Sequence, residues 1–340
     1  MKKPPRRPGP GLPFLLSEAD EETTDPDGGD EREHPLEGAR RGDYRLLSRL
    51  AVGGMAEVWL ADALAGPLSG RTLVVKRLLP ALRALPDFVQ RFRAEATVGA
   101  SLRHPCIARA YALFEDAGDL FLSQELVGGE TLSLLAVAAR QQGTRLPAAA
   151  ALHACEGLCE ALAYLHRARL VHADVNPDNL VARPDGSVKL IDLGLAQALP
   201  EGGTVASPDG ALRGTPAYMS PEQVKSRPLD ARSDLFSACI VVWELLANRP
   251  LFAAATEFET LRRVRELPAP PLRAVWPEAP TVLERLLVRG LAKDPAERFQ
   301  SAQELLDGLQ GAVRREGLAG GQAALAAEVA RLAPKAPRAG

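Results

Sequence analysis

Two carboxylates and an amide lie close together in the sequence and have the chemistry that phosphoryl transfer requires. Asp174 and Asn179 belong to the segment VHADVNPDNL, and Asp192 follows in LIDLG. In such chemistry one carboxylate orients the attacking hydroxyl, while an amide and a second carboxylate hold Mg²⁺ on the phosphates. A loop and a short strand between these residues would bring them together, so the stretch predicts a phosphotransfer site.

A lysine ends an apolar run earlier in the chain. Lys76 follows Leu73-Val74-Val75, and an ammonium buried without an anionic partner is costly. Glu95 lies in the next stretch, residues 87–102, where apolar residues recur at helical spacing. The sequence therefore predicts an ion pair between Lys76 and Glu95.

The elements that must position these residues divide the sequence in two. Residues 44–75 are rich in strand patterns, a helix is predicted over 87–102, and two short strands follow near 108–115 and 120–126. After Gly128-Gly129 the pattern becomes helical, with helices predicted at 132–140, 148–167, 233–246, 256–265, 281–291 and 301–314. The pattern indicates an α+β protein with a small β-rich part and a larger helical part.

These motifs resemble those of protein kinases. VHADVNPDN and the following IDLG are similar to H-R-D-x-x-x-x-N and D-F-G, and AVGGMAEV is similar to the glycine-rich loop G-x-G-x-x-G-x-V. GTPAYMSPE, residues 214–222, resembles the segment that closes the activation loop of serine/threonine kinases. The resemblance spans roughly residues 44–312, and the composition resembles that of a bacterial eukaryotic-like serine/threonine kinase.

The resemblance implies a bilobal kinase fold that uses ATP and Mg²⁺ to phosphorylate Ser/Thr hydroxyls of protein substrates. The N-lobe would cover residues 43–127 and the C-lobe residues 128–314. Asp174 would be the catalytic base, with Asn179 and Asp192 as magnesium ligands. Thr215 would contact Asp174 and favour Ser/Thr acceptors. The residues implied to bind the nucleotide are Ala51, Val52, Gly53, Gly54, Val58, Val74, Lys76, Glu95, Glu125, Val127, Glu130 and Val181.

Other motif residues are expected to hold the site together. Glu222 would form a buried pair with Arg298, and Asp234 would anchor the catalytic loop. His172 would pack that loop.

Several positions depart from the kinase pattern. Ala173 replaces the arginine that binds a phosphorylated activation loop in many kinases, and Ala211 occupies the usual phosphosite. We therefore expect that activity does not need a phosphate clamped beside the catalytic loop, although Thr204 and Ser207 remain candidate autophosphorylation sites. Asn176 replaces the lysine that neutralises the γ-phosphate, which predicts slower catalysis, since charge-assisted contacts are the stronger ones.

Two alternatives to an active protein kinase remain. A pseudokinase that binds nucleotide or acts as a scaffold is suggested by Ala51, Ala56, Ala173 and Asn176. A small-molecule phosphotransferase shares the H-x-D motif and a downstream Asn, but residues 214–222, Asp234 and Arg298 argue against it.

Bulk composition limits the classes of binding partner and the cellular location that we expect. The 340 residues carry 41 basic and 43 acidic side chains and a net charge of −2, so no global field attracts nucleic acid. The four cysteines lack metal or secretory spacing, and no apolar run spans a membrane. We expect a cytoplasmic location, a disordered tail over residues 1–42 and a weakly helical tail over 315–340. The oligomeric state stays open.

Overall fold

A computed structural model of the chain describes residues 34–199, 204 and 214–332. These residues form two compact units. The N-terminal unit contains residues 34–103 and 108–126, and the C-terminal unit contains residues 104–107 together with the described residues from 127 onward. The positions Ser207 and Ala211, and most of the tail predicted to be disordered, lie outside the described residues.

The N-terminal unit is an antiparallel sheet with one helix packed on it. The strand order is β1-β2-β3-β4-β6-β5. The strands are β1 Arg40–Arg41, β2 Tyr44–Val52, β3 Ala56–Ala63, β4 Thr72–Leu78, β5 Ala110–Asp116 and β6 Asp119–Gln124, and the helix is α1 Pro86–Ser101.

Each face of this sheet carries its own apolar cluster. Trp59, Val75 and Phe121 lie on one face, whereas Leu78 and Leu122 lie on the other and pack with residues of α1. Because side chains alternate along a strand, Lys76 shares a face with Leu78 and so points toward α1. The alternation therefore decides which partner the lysine meets.

The C-terminal unit is mainly helical. Its helices are α2 Leu132–Gln141, α3 Ala148–Arg167, α4 Pro221–Val224, α5 Ala231–Ala247, α6 Glu257–Glu266, α7 Thr281–Gly290, α8 Ala302–Arg315 and α9 Gly321–Leu332. Helices α3 and α5 pack together, and both are rich in buried side chains. Helix α5 begins two residues earlier than predicted, because the Asp230 side chain accepts from the Arg232 N–H as an N-cap.

Short strands in this unit flank several of the candidate site residues. They are β7 Glu130–Thr131, β8 Leu170–Val171, β9 Leu180–Ala182, β10 Val188–Leu190 and β11 Gln197–Ala198. β9 and β10 form an antiparallel hairpin that β7 extends, and β8 pairs with β11. The predicted α+β class, with a β-rich N-terminal part and a mainly helical C-terminal part, is confirmed.

The folded part extends beyond the predicted boundaries at both ends. Leu36 is buried in the N-terminal unit, and the His34 ring lies edge-on to Trp59 with centroids 4.9 Å apart. Residues from 34 onward therefore pack on the N-terminal unit, whereas the predicted boundary was residue 43. The reason is that Leu36, a single apolar residue in a polar stretch, packs into the apolar cluster of the sheet. At the other end, α9 packs against α3. None of the helices in the described part of the chain is long and apolar enough to cross a membrane.

Candidate active site

The predicted ion pair of the N-terminal unit is present. Lys76 Nζ lies 2.8 Å from Glu95 Oε1, and the two residues are 9% and 3% exposed. The Gln124 side chain also donates to Glu95 Oε1, at 3.2 Å. Sequence reasoning missed Gln124; its only signal was its place beside Glu125 at the end of β6. Val58 and Val74 share the lysine's face of the sheet, since Val58 pairs directly with Lys76 and Val74 is two residues away on β4.

The turn between β2 and β3 has room around its glycines. The Gly53 N–H donates to the Ala56 carbonyl at 2.9 Å, and neither Gly53 nor Gly54 adopts a left-handed backbone conformation. A Cβ on Gly54 would meet nothing within 4 Å. The fold itself therefore does not require glycine at these two positions, and the missing side chains leave their backbone accessible. Ala51 pairs with Val58, and Val52 is exposed.

Asp174 is held by two neighbours in the C-terminal unit. Its Oδ1 accepts from the Thr215 N–H at 3.0 Å and from the Thr215 hydroxyl at 3.1 Å. Asn179 Nδ2 donates to the Asp174 carbonyl at 3.0 Å and to Oδ2 at 3.3 Å. The carboxylate is thus fixed in orientation by donors on both oxygens.

Asn176 organises the loop between Asp174 and Asn179. It is 3% exposed, and its Oδ1 accepts from the N–H groups of Asp178 and Asn179 at 3.0 and 3.1 Å. Its Nδ2 donates to the Thr215 hydroxyl at 3.1 Å. The side chain that replaces the usual lysine therefore serves as a cap for the following turn rather than as an exposed donor.

Asp234 anchors the loop that contains Asp174, as expected. The N–H groups of His172 and Ala173 each donate to the Asp234 carboxylate at 2.9 Å. Ala173 adopts a left-handed conformation with φ of 64°, and its carbonyl accepts from Gln223 Nε2 at 2.8 Å. These bonds hold a backbone conformation that a non-glycine residue rarely adopts. The His172 ring is buried and contacts the Asp192 carbonyl at 2.5 Å.

The two candidate magnesium ligands lie at one end of the β9–β10 hairpin. Asn179 precedes β9 and Asp192 follows β10, and the Ile191 N–H donates to the Asn179 carbonyl at 3.0 Å. Amide and carboxylate oxygens suit a hard cation such as Mg²⁺. The described residues contain no group of three or more His, Cys, Asp or Glu side chains that could hold a metal ion. A cation at this end would therefore need further oxygens, which nucleotide phosphates carry, so the donor set fits Mg²⁺ bound together with a nucleotide.

Glu130 is a buried carboxyl group on β7. It is 3% exposed, and its Oε2 lacks a hydrogen-bond partner among the described residues. Burial raises the pKa of Glu130 to about 7. The preceding Gly129 has a φ of 142°, and a Cβ there would lie 2.1 Å from the Ala182 carbonyl oxygen. Only glycine fits this crossing of β7 and β9, and it sets the position of Glu130.

The contacts of the other implied nucleotide-binding residues do not by themselves indicate a ligand site. The Glu125 N–H donates to the Arg109 carbonyl at 2.7 Å, and the Glu125 side chain accepts from the Arg109 N–H at 3.1 Å. Val127 and Val181 are buried in the C-terminal unit. Their packing is also what an ordinary core residue would show.

The segment 214–222 is fastened by the predicted buried pair. The Arg298 guanidinium, 0% exposed, donates to the two Glu222 oxygens at 2.7 and 2.9 Å, and the Ser233 hydroxyl also donates to Glu222. Burial favours a raised pKa for Glu222, but the bonds from Arg298 and Ser233 outweigh it, and the pKa is lowered overall. Thr204 borders a nearby cavity of about 250 Å³ that Lys225 and Arg227 also line.

The family assignment follows from comparison with known proteins. A family model described as the protein kinase domain matches residues 45–308. The chain belongs to the protein kinase family. The matched range contains every candidate site residue of both units, from Ala51 to Thr215.

Relatives of this family member include bacterial kinases. The probable serine/threonine-protein kinase SCO3848 of Streptomyces coelicolor is 38% identical over 269 residues, which is 78% of this chain and 39% of that protein. The serine/threonine-protein kinase PknB of Mycobacterium tuberculosis is 34% identical over 77% of this chain and 41% of its own length. The tyrosine-protein kinase MasK of Myxococcus xanthus is 31% identical over 79% and 43%. The chain spans about two fifths of the length of these relatives.

Proposed function

We propose that this chain transfers the γ-phosphoryl group of Mg-ATP to Ser/Thr hydroxyls of protein substrates. The observation that carries the proposal is the Asp174 carboxylate, whose oxygens accept from Thr215 and Asn179. A carboxylate fixed in this way can orient an incoming hydroxyl and take its proton as the phosphoryl group transfers. The names of SCO3848 and PknB support the same activity.

The remaining residues have distinct roles in this proposal. Lys76, oriented by Glu95, would bind the α- and β-phosphates. Asn179 and Asp192 would hold Mg²⁺, which neutralises the charge that develops on the phosphates. Glu130 would accept hydrogen bonds from the ribose hydroxyls. Thr215 favours a Ser/Thr acceptor. Because the relative MasK is named a tyrosine-protein kinase, the assay must also distinguish phosphorylation of Ser/Thr from phosphorylation of Tyr.

The catalytic loop works in this proposal without its arginine. Ala173 offers no cation; the loop is supported by the hydrogen bond from the Ala173 N–H to Asp234 and by the one that the Ala173 carbonyl accepts from Gln223. A phosphate on the activation segment is therefore not needed to hold Asp174 in place.

A pseudokinase is the second candidate, and Asn176 is the observation that favours it. Its side chain is buried and engaged with the loop, so no cation from this position reaches a γ-phosphate. Charge-assisted contacts are about twice as strong as neutral ones, so this loss lowers the expected rate.

One assay separates the two functions. The chain is incubated with Mg²⁺, [γ-³²P]ATP and a generic basic protein, beside Asp174→Asn and the matched control Asp307→Ala, which removes an exposed carboxylate on α8. We expect labelling by the parent and the control but not by Asp174→Asn, with the label on Ser or Thr after acid hydrolysis. Equal labelling by all three proteins would refute the proposed kinase activity. Label on Tyr would refute the proposal that Ser and Thr are the acceptors.

A further inference from the structure

Helix α9 lies outside the region that the family model matches, yet it is part of the folded C-terminal unit. The match ends at residue 308, and α9 spans Gly321–Leu332. Its apolar side chains Leu325, Val329 and Leu332 are 0%, 4% and 6% exposed, and it packs against α3, α2 and β9. The helix thus covers a surface of the domain that would otherwise be open.

The first residue of α9 lies directly against α3. A Cβ built on Gly321 would lie 2.5 Å from the Ala149 carbonyl oxygen and 2.7 Å from His153 Cβ. Real Cβ atoms do not approach backbone atoms so closely, so only glycine permits this contact. The φ angle of Gly321 is not in the left-handed region, which means that its requirement is one of space rather than of backbone conformation.

The second residue of α9 contacts the turn of the β9–β10 hairpin. Gln322 Nε2 donates to the Asp185 carbonyl at 3.0 Å, and a Cβ on Gly186 would lie 2.1 Å from the Gln322 carbonyl oxygen. On the other side, His153 Nε2 lies 3.2 Å from the Gly186 carbonyl oxygen. The turn is therefore held between the first residues of α9 and helix α3.

The same hairpin carries Asn179 and Asp192 at its open end. Its register pairs Ala182 with Val188 next to the turn and Leu180 with Leu190 next to the site. With three residues in each strand and a rise of about 3.3 Å per residue, the paired strands alone separate the turn from the two candidate ligands by about 10 Å. A short, fully paired hairpin transmits a shift of its turn to its other end.

We infer that α9 is a positioning element for the candidate magnesium ligands. It fixes the turn through Gly321 and Gln322, and the turn fixes the spacing and orientation of Asn179 and Asp192. The part of the inference that concerns Mg²⁺ rests on the proposed function. The simpler reading, in which α9 only stabilises the C-terminal unit, predicts no effect specific to the hairpin or to the metal.

A pair of glycine substitutions tests the mechanical link. Gly321→Ala places a methyl group against the α3 backbone, whereas the control Gly311→Ala places one on α8 where nothing lies within 4 Å. Hydrogen exchange of the full chain is followed at the amides of Gly186, Leu190 and Ile191. We expect exchange at least threefold faster in Gly321→Ala and unchanged in Gly311→Ala. Faster exchange in α9 with unchanged hairpin amides would overturn the inference.

Nucleotide affinity tests the consequence at the site. ADP binding is measured by calorimetry with excess Mg²⁺ and again with EDTA. We expect Gly321→Ala to weaken binding at least threefold in Mg²⁺ and by less than twofold in EDTA, with Gln322→Ala intermediate and Gly311→Ala like the parent. An equal loss in both buffers would overturn the metal link.

The two measurements keep the two proposals separate. A parent chain without Mg²⁺-dependent ADP binding would count against the proposed function, while the exchange experiment would still decide whether α9 holds the hairpin. Gln322→Ala, which removes one hydrogen bond and adds no bulk, decides the exchange experiment if Gly321→Ala does not fold.

Discussion

The Asn176 amide donates to the Thr215 hydroxyl at 3.1 Å, and that hydroxyl in turn donates to Asp174 Oδ1 at 3.1 Å. This chain of donors links the residue that departs most from the kinase pattern to the candidate base. The amide oxygen of Asn176 meanwhile caps the turn that leads to Asn179. Asn176 is therefore a structural part of the loop, and its loss disturbs both the base and a candidate magnesium ligand.

Asn176→Ala is expected to lower kcat by more than tenfold. Losing a side-chain cap costs about 1 kcal/mol, and losing the donor to Thr215 costs about 1 kcal/mol more, both within one loop. Steady-state kinetics measure the effect. Asn176→Ser keeps a capping oxygen and loses the amide donor without adding a charge, so it should retain more stability than Asn176→Ala; equal activity of parent and Asn176→Ala would contradict the role.

Glu95→Gln is expected to destabilise the chain by about 2 kcal/mol, because it replaces the charge-assisted hydrogen bond between Glu95 and the buried Lys76 ammonium by a neutral one. The KM for ATP should rise in parallel. Denaturant unfolding measures the first effect. Glu115→Gln is the matched control, since Glu115 pairs with Arg93 at an exposed site, where an ion pair contributes less than about 1 kcal/mol. Similar losses in both variants would argue against a special role for the Lys76–Glu95 pair.

Glu130 is expected to make stability fall as the pH rises. Its pKa is about 7 in the folded chain and 4.5 in an ordinary environment. Between these values the unfolded chain has lost the proton while the folded chain keeps it, so stability decreases with pH across this window and stays lower above it.

The variant Glu130→Gln removes this titration. Its thermal midpoint relative to the parent should therefore increase from pH 5 to pH 8. Thermal unfolding across this range measures the difference, and parallel profiles for the two proteins would show that Glu130 does not titrate as described.

Removing the Thr204 and Ser207 hydroxyls is expected to leave the chain active. Ala173 provides no cation for a phosphate beside the catalytic loop, and that loop is already held by Asp234 and Gln223. The double change Thr204→Ala with Ser207→Ala should keep at least one tenth of the parent activity in the labelling assay. A loss greater than tenfold would show that a phosphate on this segment is required.

Local patterns predicted most of the elements. An apolar run predicted a strand that ends at Lys76, whereas β4 continues to Leu78. Helical spacing placed Glu95 on α1, and the pair is present at 2.8 Å. The motif spacing predicted that Asp174, Asn179 and Asp192 come together. The hairpin brings Asn179 and Asp192 to one end, and Asn179 donates to Asp174. Boundaries were less accurate, because caps such as Asp230 and isolated apolar residues such as Leu36 act through contacts that periodicity does not register.

The sequence by itself determined the residue types of the candidate site, because the proposed phosphoryl transfer needs particular charges and ligands at nearly fixed spacings. Only the tertiary structure decided what Asn176, Gln124 and α9 do. Asn176 acts through Thr215, Gln124 through Glu95, and α9 through a turn far away in the sequence. Such contacts depend on how distant segments pack, and a short polar side chain or a glycine has no periodic signal that reveals its partner.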